Sequence, residues 1–228
     1  LFARPTAQAG LWTDEESGNQ ILAGRDLQAG GTWLGITRSG RFAAVTNIRD
    51  PSQTERRPRS RGDLTRLFLA GDDSPQQYCA HLAESYDQFA CYNLLVGDSD
   101  SLYYVNNQEE KAWRLEPGIF GLSNGLLNSS WPKIDRGREV LSSLMEAPQM
   151  LHTDALIDMM ADRSQASDAD LPDTGIDIEI ERKLSSAFIL NPQREYGTLC
   201  STALIFEKSG DKRFSEQNFD HLGNKTQG

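Results

Sequence analysis

Apolar positions recur along this chain with two different periods, and the changes of period mark its elements. Residues 32–37 and 41–47 alternate in the two-residue period of a strand, and Ser39-Gly40 between them predicts a hairpin turn. The alternation puts Thr32, Leu34 and Ile36 on one face, read as ordinary core, and Trp33, Gly35 and Thr37 on the other. Gly30-Gly31 precedes the hairpin, a pair suited to positive φ or to close approach of another backbone. Residues 21–31 read as the loop that feeds it, and residues 1–18 as a turn-rich loop carrying Trp12.

Helical spacing takes over next. Leu64, Leu67 and Phe68 stand at i, i+3 and i+4 between Ser60, a predicted N-cap, and Gly71. Ser74-Pro75 opens a second helix whose buried side carries Tyr78, Leu82 and Tyr86, flanked by Cys79, Ala83 and Ala90. Strands are predicted at 92–96, 102–105, 113–115 and 119–122. Trp131-Pro132 begins a helix with Ile134, Leu141, Leu144 and Met145 on one face, and Thr153 caps another through Leu156, Ile157 and Met160. Residues 162–175 have the least ordered composition, and strands at 187–190, 198–206 and 213–219 complete a second antiparallel sheet. No internal repeat is present. The pattern predicts an α+β fold in one domain, residues 1–222, followed by a frayed tail, 223–228.

Composition narrows the function. The chain has 228 residues, 38% of them hydrophobic, enough for one sizeable core. Its 23 Lys and Arg against 33 Asp and Glu give a net charge of −10, which opposes binding to nucleic acid or to an anionic membrane surface. Arg56, Arg57, Arg59, Arg61 and Arg66 run against that balance; they read as a solvated loop entering a helix, with an anionic-ligand patch as the alternative. The acidic stretch 154–181 reads as solvated surface. Three cysteines, Cys79, Cys91 and Cys200, lack CxxC spacing, and their odd number suits a reducing, cytoplasmic setting. His81, His152 and His221 lack ligand spacing, so neither a metal nor another cofactor is implied. No apolar run is long enough to span a membrane.

Candidate chemistry gathers at the end of the return strand. Thr46-Asn47-Ile48-Arg49-Asp50 sets an amide, a guanidinium and a carboxylate where a strand meets a loop. Asn124 ends another predicted strand. Asparagine at a strand end is either a turn residue bonding its own backbone or an amide donor for a site. Trp33 either packs on a second layer or lines a pocket, and Arg25 and Asp26 either pair or organise the loop before Gly30-Gly31. Gly30-Gly31 lacks the lysine of a phosphate loop, and Ser201 and Thr202 lack a histidine partner nearby in sequence. The three cysteines lie inside apolar patterns with no base beside them.

A series of segments resembles the NRDE family, also called the transport and Golgi organisation protein 2 family. They are Leu-Ala-Gly-Arg-Asp at 22–26, Gly-Gly-Thr-Trp-Leu-Gly at 30–35, Arg-Phe at 41–42, Thr-Asn-x-Arg-Asp at 46–50 and Ser-Arg-Gly at 60–62. Tyr-Asn-Leu-Leu-Val-Gly-Asp at 92–98, Gly-Ile-Phe-Gly-Leu-Ser-Asn at 118–124, Trp-Pro-Lys at 131–133, Leu-Pro-Asp-Thr-Gly at 171–175 and Tyr-Gly-Thr at 196–198 with Ser-Thr at 201–202 continue it in the same order. The family's Asn-Arg-Asp-Glu motif and its Met-Cys start have no counterpart here, and the resemblance implies that this sequence lacks the first strand or strands. Leu199 stands where relatives commonly have Arg.

The resemblance implies a four-layer αββα sandwich of two antiparallel sheets covered by helices, the N-terminal nucleophile hydrolase-like fold. It also implies a hydrolase or acyltransferase acting on an amide or thioester, whose nucleophile is a cysteine outside this sequence. That cysteine's own α-amino group would act as base, since an α-amine titrates near neutrality. Asn124 is similar to the asparagine that choloylglycine-type hydrolases place near the nucleophile, with Asn47 a second candidate by position, and Trp33, Arg49 and Gly31 are candidate ligand contacts. A non-enzymatic carrier of haem or of acyl-CoA or another lipid is the alternative. A small acyl or haem-like ligand is the expected partner, although no axial haem ligand can be picked out from the three histidines.

Overall fold

Tyr92, Leu94 and Val96 alternate with Asn93, Leu95 and Gly97, and the first three are fully buried. In the computed structural model, which describes residues 2–226, they lie on a central strand of an antiparallel sheet. β1 (Thr6–Thr13), β2 (Gln20–Asp26), β3 (Leu34–Thr37), β4 (Phe42–Asn47), β5 (Tyr92–Gly97), β6 (Leu102–Asn106) and β7 (Lys111–Arg114) lie side by side in chain order. Between β4 and β5 the chain forms α1 (Gly62–Ala70) and α2 (Pro75–Leu82), which pack on one face of the sheet. Leu64, Phe68 and Leu69 of α1 meet Ile21, Ala23 and Ala43 there. Ser74 starts α2 with a reciprocal capping box to Gln77 and proline at the first helical turn, as its sequence predicts.

Several local expectations change. The face that α1 covers is that of Gly35, which pairs with the core residue Ala43; a Cβ on Gly35 would meet Leu69 Cδ1 at 3.0 Å. The small residues make room for the helix, and Ile36 is buried on the opposite face. Residues 6–13 and 20–26 are paired strands, with a register shift between Ala7 and Gly10; alanine and glycine had hidden the alternation. Of the two readings of Arg25 and Asp26, pairing fails, because neighbours on a strand face opposite ways, with Arg25 stacked on Trp12; Asp26 instead organises the loop before Gly30-Gly31, taking Arg4 and the N–H groups of Gln28 and Ala29. Residues 119–122 form no strand, and the N-cap of α1 is Arg61, with Ser60 Oγ accepting from Gly62 N at 3.3 Å.

Gly31 is a site of close backbone approach. A Cβ there would lie 2.4 Å from the carbonyl carbon of Gly62, so β3 can begin against the first turn of α1 only through glycine. Gly31→Ala is expected to lower unfolding free energy by roughly 1–3 kcal/mol through overpacking; an unchanged urea midpoint would mean that the two backbones separate freely. Tyr92 presents the opposite case. Its ring is fully buried edge-on to Phe89, its hydroxyl has no partner among the described residues, and burial pushes the phenol far up. Tyr92→Phe is therefore expected to raise stability by about 1 kcal/mol, read as a higher melting temperature; a loss of stability would place a hidden partner on that hydroxyl.

Residues 4–118 with 122–127 form the unit just described; residues 2–3, 119–121 and 128–226 form a second. The latter contains α3 (Pro132–Glu146), α4 (Thr153–Met159), α5 (Ile178–Leu184), a two-residue ladder of β8 (Leu190–Asn191) and β9 (Tyr196–Gly197), and a sheet of β10 (Cys200–Phe206), β11 (Lys212–Phe219) and β12 (Lys225–Thr226). α4 packs on β10 and β11, where Ser215 and Thr153 hydroxyls lie 2.9 Å apart. His152, rather than Thr153, caps α4, its Nδ1 accepting from Ala155 N. The predicted strand at 187–190 shrinks to β8. Residues 223–226, expected to fray, include β12, which pairs with β11, while Gly223 accepts from Arg163; Leu1 and residues 227–228 lie outside the described residues.

Candidate functional site

β4 pairs with β5 through Thr46 opposite Asn93 and Asn47 opposite Tyr92, and the loop 122–127 is tied to that end of the sheet. Asn124 Nδ2 donates to the Asn47 carbonyl at 2.9 Å, and Arg49 N donates to the Asn124 carbonyl at 2.8 Å. Thr46 Oγ1 donates to the Ser123 carbonyl at 2.8 Å. Asn124, picked out apart from Asn47 and Arg49 in the sequence, is thus joined to both through their main-chain groups.

Beneath this loop lies a polar network that the sequence reading did not single out. Asn93, 0% exposed, donates through Nδ2 to the Gly125 carbonyl at 2.7 Å and to Thr46 Oγ1 at 3.1 Å. Its Oδ1 accepts from Tyr104 OH at 2.7 Å, and that hydroxyl in turn accepts from Asn106 Nδ2 at 3.1 Å and Leu127 N at 3.2 Å. Burial pushes the Tyr104 phenol above its ordinary value, so it stays a donor. Buried amides require partners, and here the partners are the carbonyls and N–H groups of the Asn124 loop. The signal available was an asparagine inside the apolar run Tyr-Asn-Leu-Leu-Val.

Next to Asn47 the chain enters β5 through Cys91, whose carbonyl accepts from Ile48 N at 3.1 Å and Arg61 Nη1 at 2.9 Å. Gln53 braces Cys91, donating to Sγ and accepting from its N–H. Asp50 Oδ2 lies 3.8 Å from the sulfur, and Ser52 hydrogen bonds hold that carboxyl below its usual range. Burial, then the Asp50 carboxylate, pushes the Cys91 thiol up; burial alone pushes Cys79 up to about 12. Neither is poised as a thiolate nucleophile.

Trp33 and Gly31 take no part in the Asn124 constellation. The Trp33 ring lies over Gly24, where a Cβ would come within 2.4 Å of it, and Gly31 is occupied by Gly62. Among the described residues no group of three or more His, Cys, Asp and Glu is arranged to hold a metal ion, and no helix is long and apolar enough to cross a membrane. Chemically, the site offers the side-chain amides of Asn124 and Asn47 at a strand end held by a buried scaffold, a donor type that suits an oxyanion.

Residues 1–221 match the family described as Transport and Golgi organisation 2. The chain is 31% identical over 232 residues to the transport and Golgi organization protein 2 homolog of Homo sapiens, covering 96% of this chain and 83% of that protein. It is 30% identical over 234 residues to the homolog of Bos taurus, with the same coverage of each. The transport and Golgi organization 2 homolog of Mus musculus is likewise 30% identical over 234 residues, again 96% of this chain and 83% of that protein.

Proposed function

From the premise that the chain belongs to the Transport and Golgi organisation 2 family, we propose that it acts on an amide or thioester in the manner of an N-terminal cysteine hydrolase or acyltransferase. The observation that carries this reading is the convergence of Asn124, Asn47 and Arg49, tied by two hydrogen bonds and backed by Asn93. In this reading the thiolate is supplied from the amino terminus of the full-length protein. It adds to the acyl carbon, the carbonyl oxygen becomes an oxyanion facing the Asn124 amide, and collapse expels the amine or thiol with the proton that the α-amine took from the thiol, leaving an acyl-enzyme that water, or an acceptor amine or thiol, then cleaves to free the cysteine. Preorganised amides of this kind lower the barrier because they need no reorientation as charge develops.

The αββα sandwich is part of the same proposal. Each unit supplies a sheet packed with helices, as that architecture needs.

The test uses full-length natural protein. Its amino-terminal residue is read by intact mass and terminal sequencing, and the protein is incubated with a thioester acyl probe. Acyl label on an amino-terminal cysteine supports the hydrolase reading. An amino terminus without cysteine, or one that no acyl thioester labels, overturns it, and a saturable change in haem absorbance then favours the carrier reading.

A further inference from the structure

Half-buried arginines of this chain pair with a carboxylate or lie in the field of one: Arg66 pairs with Asp14 and Arg4 with Asp26, while Arg41, hydrogen-bonded to the Phe68 carbonyl, has its burial offset by Asp72, Asp98 and Asp73. Arg61 differs. It is half-buried at the start of α1, it spends one N–H on the Cys91 carbonyl at 2.9 Å, and its other donors have no partner among the described residues. Burial lowers its pKa, and only the Cys91 thiol offsets that loss; no carboxylate does. Asp50 is held by Ser52, and Asp87 accepts from Gln88.

Position makes the orphan cation informative. The carbonyl that Arg61 grips also accepts from Ile48 N, so the guanidinium stands at the β4 end that carries Asn47, Arg49 and Asn124. Gly31, packed on Gly62, fixes the first turn of α1 and with it the place of Arg61. Arg57 follows the same segment from the solvent side, its Nη1 3.4 Å from the Asp87 carbonyl, and it acts electrostatically with Arg61 on Cys91. Arg59, stacked on Phe89, holds the intervening chain in place. A planar guanidinium with free donors, in a chain of net charge −10, is suited to two-point binding of a carboxylate or phosphate.

We propose that Arg61 and Arg57 form a receptor for an oxyanionic group, carboxylate or phosphate, on the ligand handled at Asn47 and Asn124. The inference rests on reading those two asparagines as the site. It restricts the ligand to an anionic acyl compound, with the anion held on the Arg61 side and the reacting carbonyl beside Asn124.

The test titrates the purified chain, at low salt, with inorganic pyrophosphate and separately with succinate, following the arginine Nε and asparagine amide resonances. The expected result is a saturable shift of Arg61 Nε, and the tighter probe identifies the anion as phosphate or carboxylate. Arg61→Gln is expected to weaken binding at least tenfold, and Arg61→Lys to restore only part of it, since the ammonium lacks the fork. Arg57→Gln, at an exposed position, is expected to weaken it severalfold without moving the melting temperature. No saturable shift of Arg61 with either probe, or equal affinity in Arg61→Gln and Arg57→Gln, overturns the proposal. An Arg61 shift with the Asn124 amide unmoved keeps the anion receptor and removes Asn124 from the ligand's reach, so the two readings fail separately.

Discussion

Asn93→Ala is expected to lower unfolding free energy by roughly 3–5 kcal/mol, because each buried polar group left without a partner costs about 1–3 kcal/mol. Three groups depend on this side chain: the Gly125 carbonyl and Thr46 Oγ1 as acceptors, and Tyr104 OH as donor. Thr46 keeps its bond to Ser123, and Tyr104 keeps those from Asn106 and Leu127. Gly125 has no such second tie through the network, and the Tyr104 proton loses its acceptor in a fully buried setting. Asn93→Asp is a sharper variant. It still accepts from Tyr104, yet turns an oxygen toward the Gly125 carbonyl and buries a charge without a cation. Urea denaturation measures both, and amide exchange across residues 122–127 should quicken in step. A cost below about 1 kcal/mol for Asn93→Ala would mean that the loop holds itself, and the scaffold role of Asn93 would be lost.

Periodicity revealed the elements whose burial is one-sided. α2 buries Pro75, Tyr78, Cys79 and Leu82 and exposes Gln76, Gln77, Ala80 and His81, so its apolar residues recur at helical spacing, whereas β3 and β5, buried on both faces, stood out as short apolar runs between turns. β1 failed that test because Ala7, Ala9 and Gly10 carry little hydrophobic contrast, and its pairing with β2 is visible only as register. α5 was missed for the opposite reason: Ile178 and Ile180 stand two apart and imitate a strand, while the helix is set by the Asp177 cap and by acids in the first turn and bases in the last. Residues 119–122 have the composition of a strand, but Gly121 and Asn128 close the segment into a loop instead.

The site divides along the same line. Asn47 and Asn124 were legible because polar residues at strand ends are a local feature. Their joining was not, since the contact between them spans 77 positions of sequence. Asn93, Tyr104 and Asn106 were invisible as a group: Asn93 alone carries a local signal, as an amide inside an apolar run, and what joins the three is that they satisfy one another and the loop above. Arg61 was seen only as one of five clustered arginines; what sets it apart is a missing carboxylate, which only packing reveals.

Asn124→Ala, in full-length protein shown to turn over an acyl substrate, is expected to lower kcat by about 10²–10³, equivalent to roughly 2.7–4 kcal/mol of transition-state stabilisation, with little change in KM. Asn124 Nδ2 gives one N–H to the Asn47 carbonyl, which orients the group and leaves the second N–H for the oxyanion. On the proposed hydrolase reading that contact forms as negative charge grows, so its loss is expected to fall on kcat. Asn47→Ala keeps the backbone carbonyl that orients Asn124 and removes only an exposed carboxamide, so its effect should be smaller. A merely structural Asn124 predicts a different pair of results: a lowered melting temperature with kcat within about threefold of the parent. The network supports that distinction, because Asn93, Thr46 and Tyr104 hold the backbone of residues 123, 125 and 127 without using the Asn124 side chain. The loop should therefore stay in place in Asn124→Ala, and a large loss of kcat with an unchanged melting temperature would mark the lost amide as the group that meets the reacting oxygen.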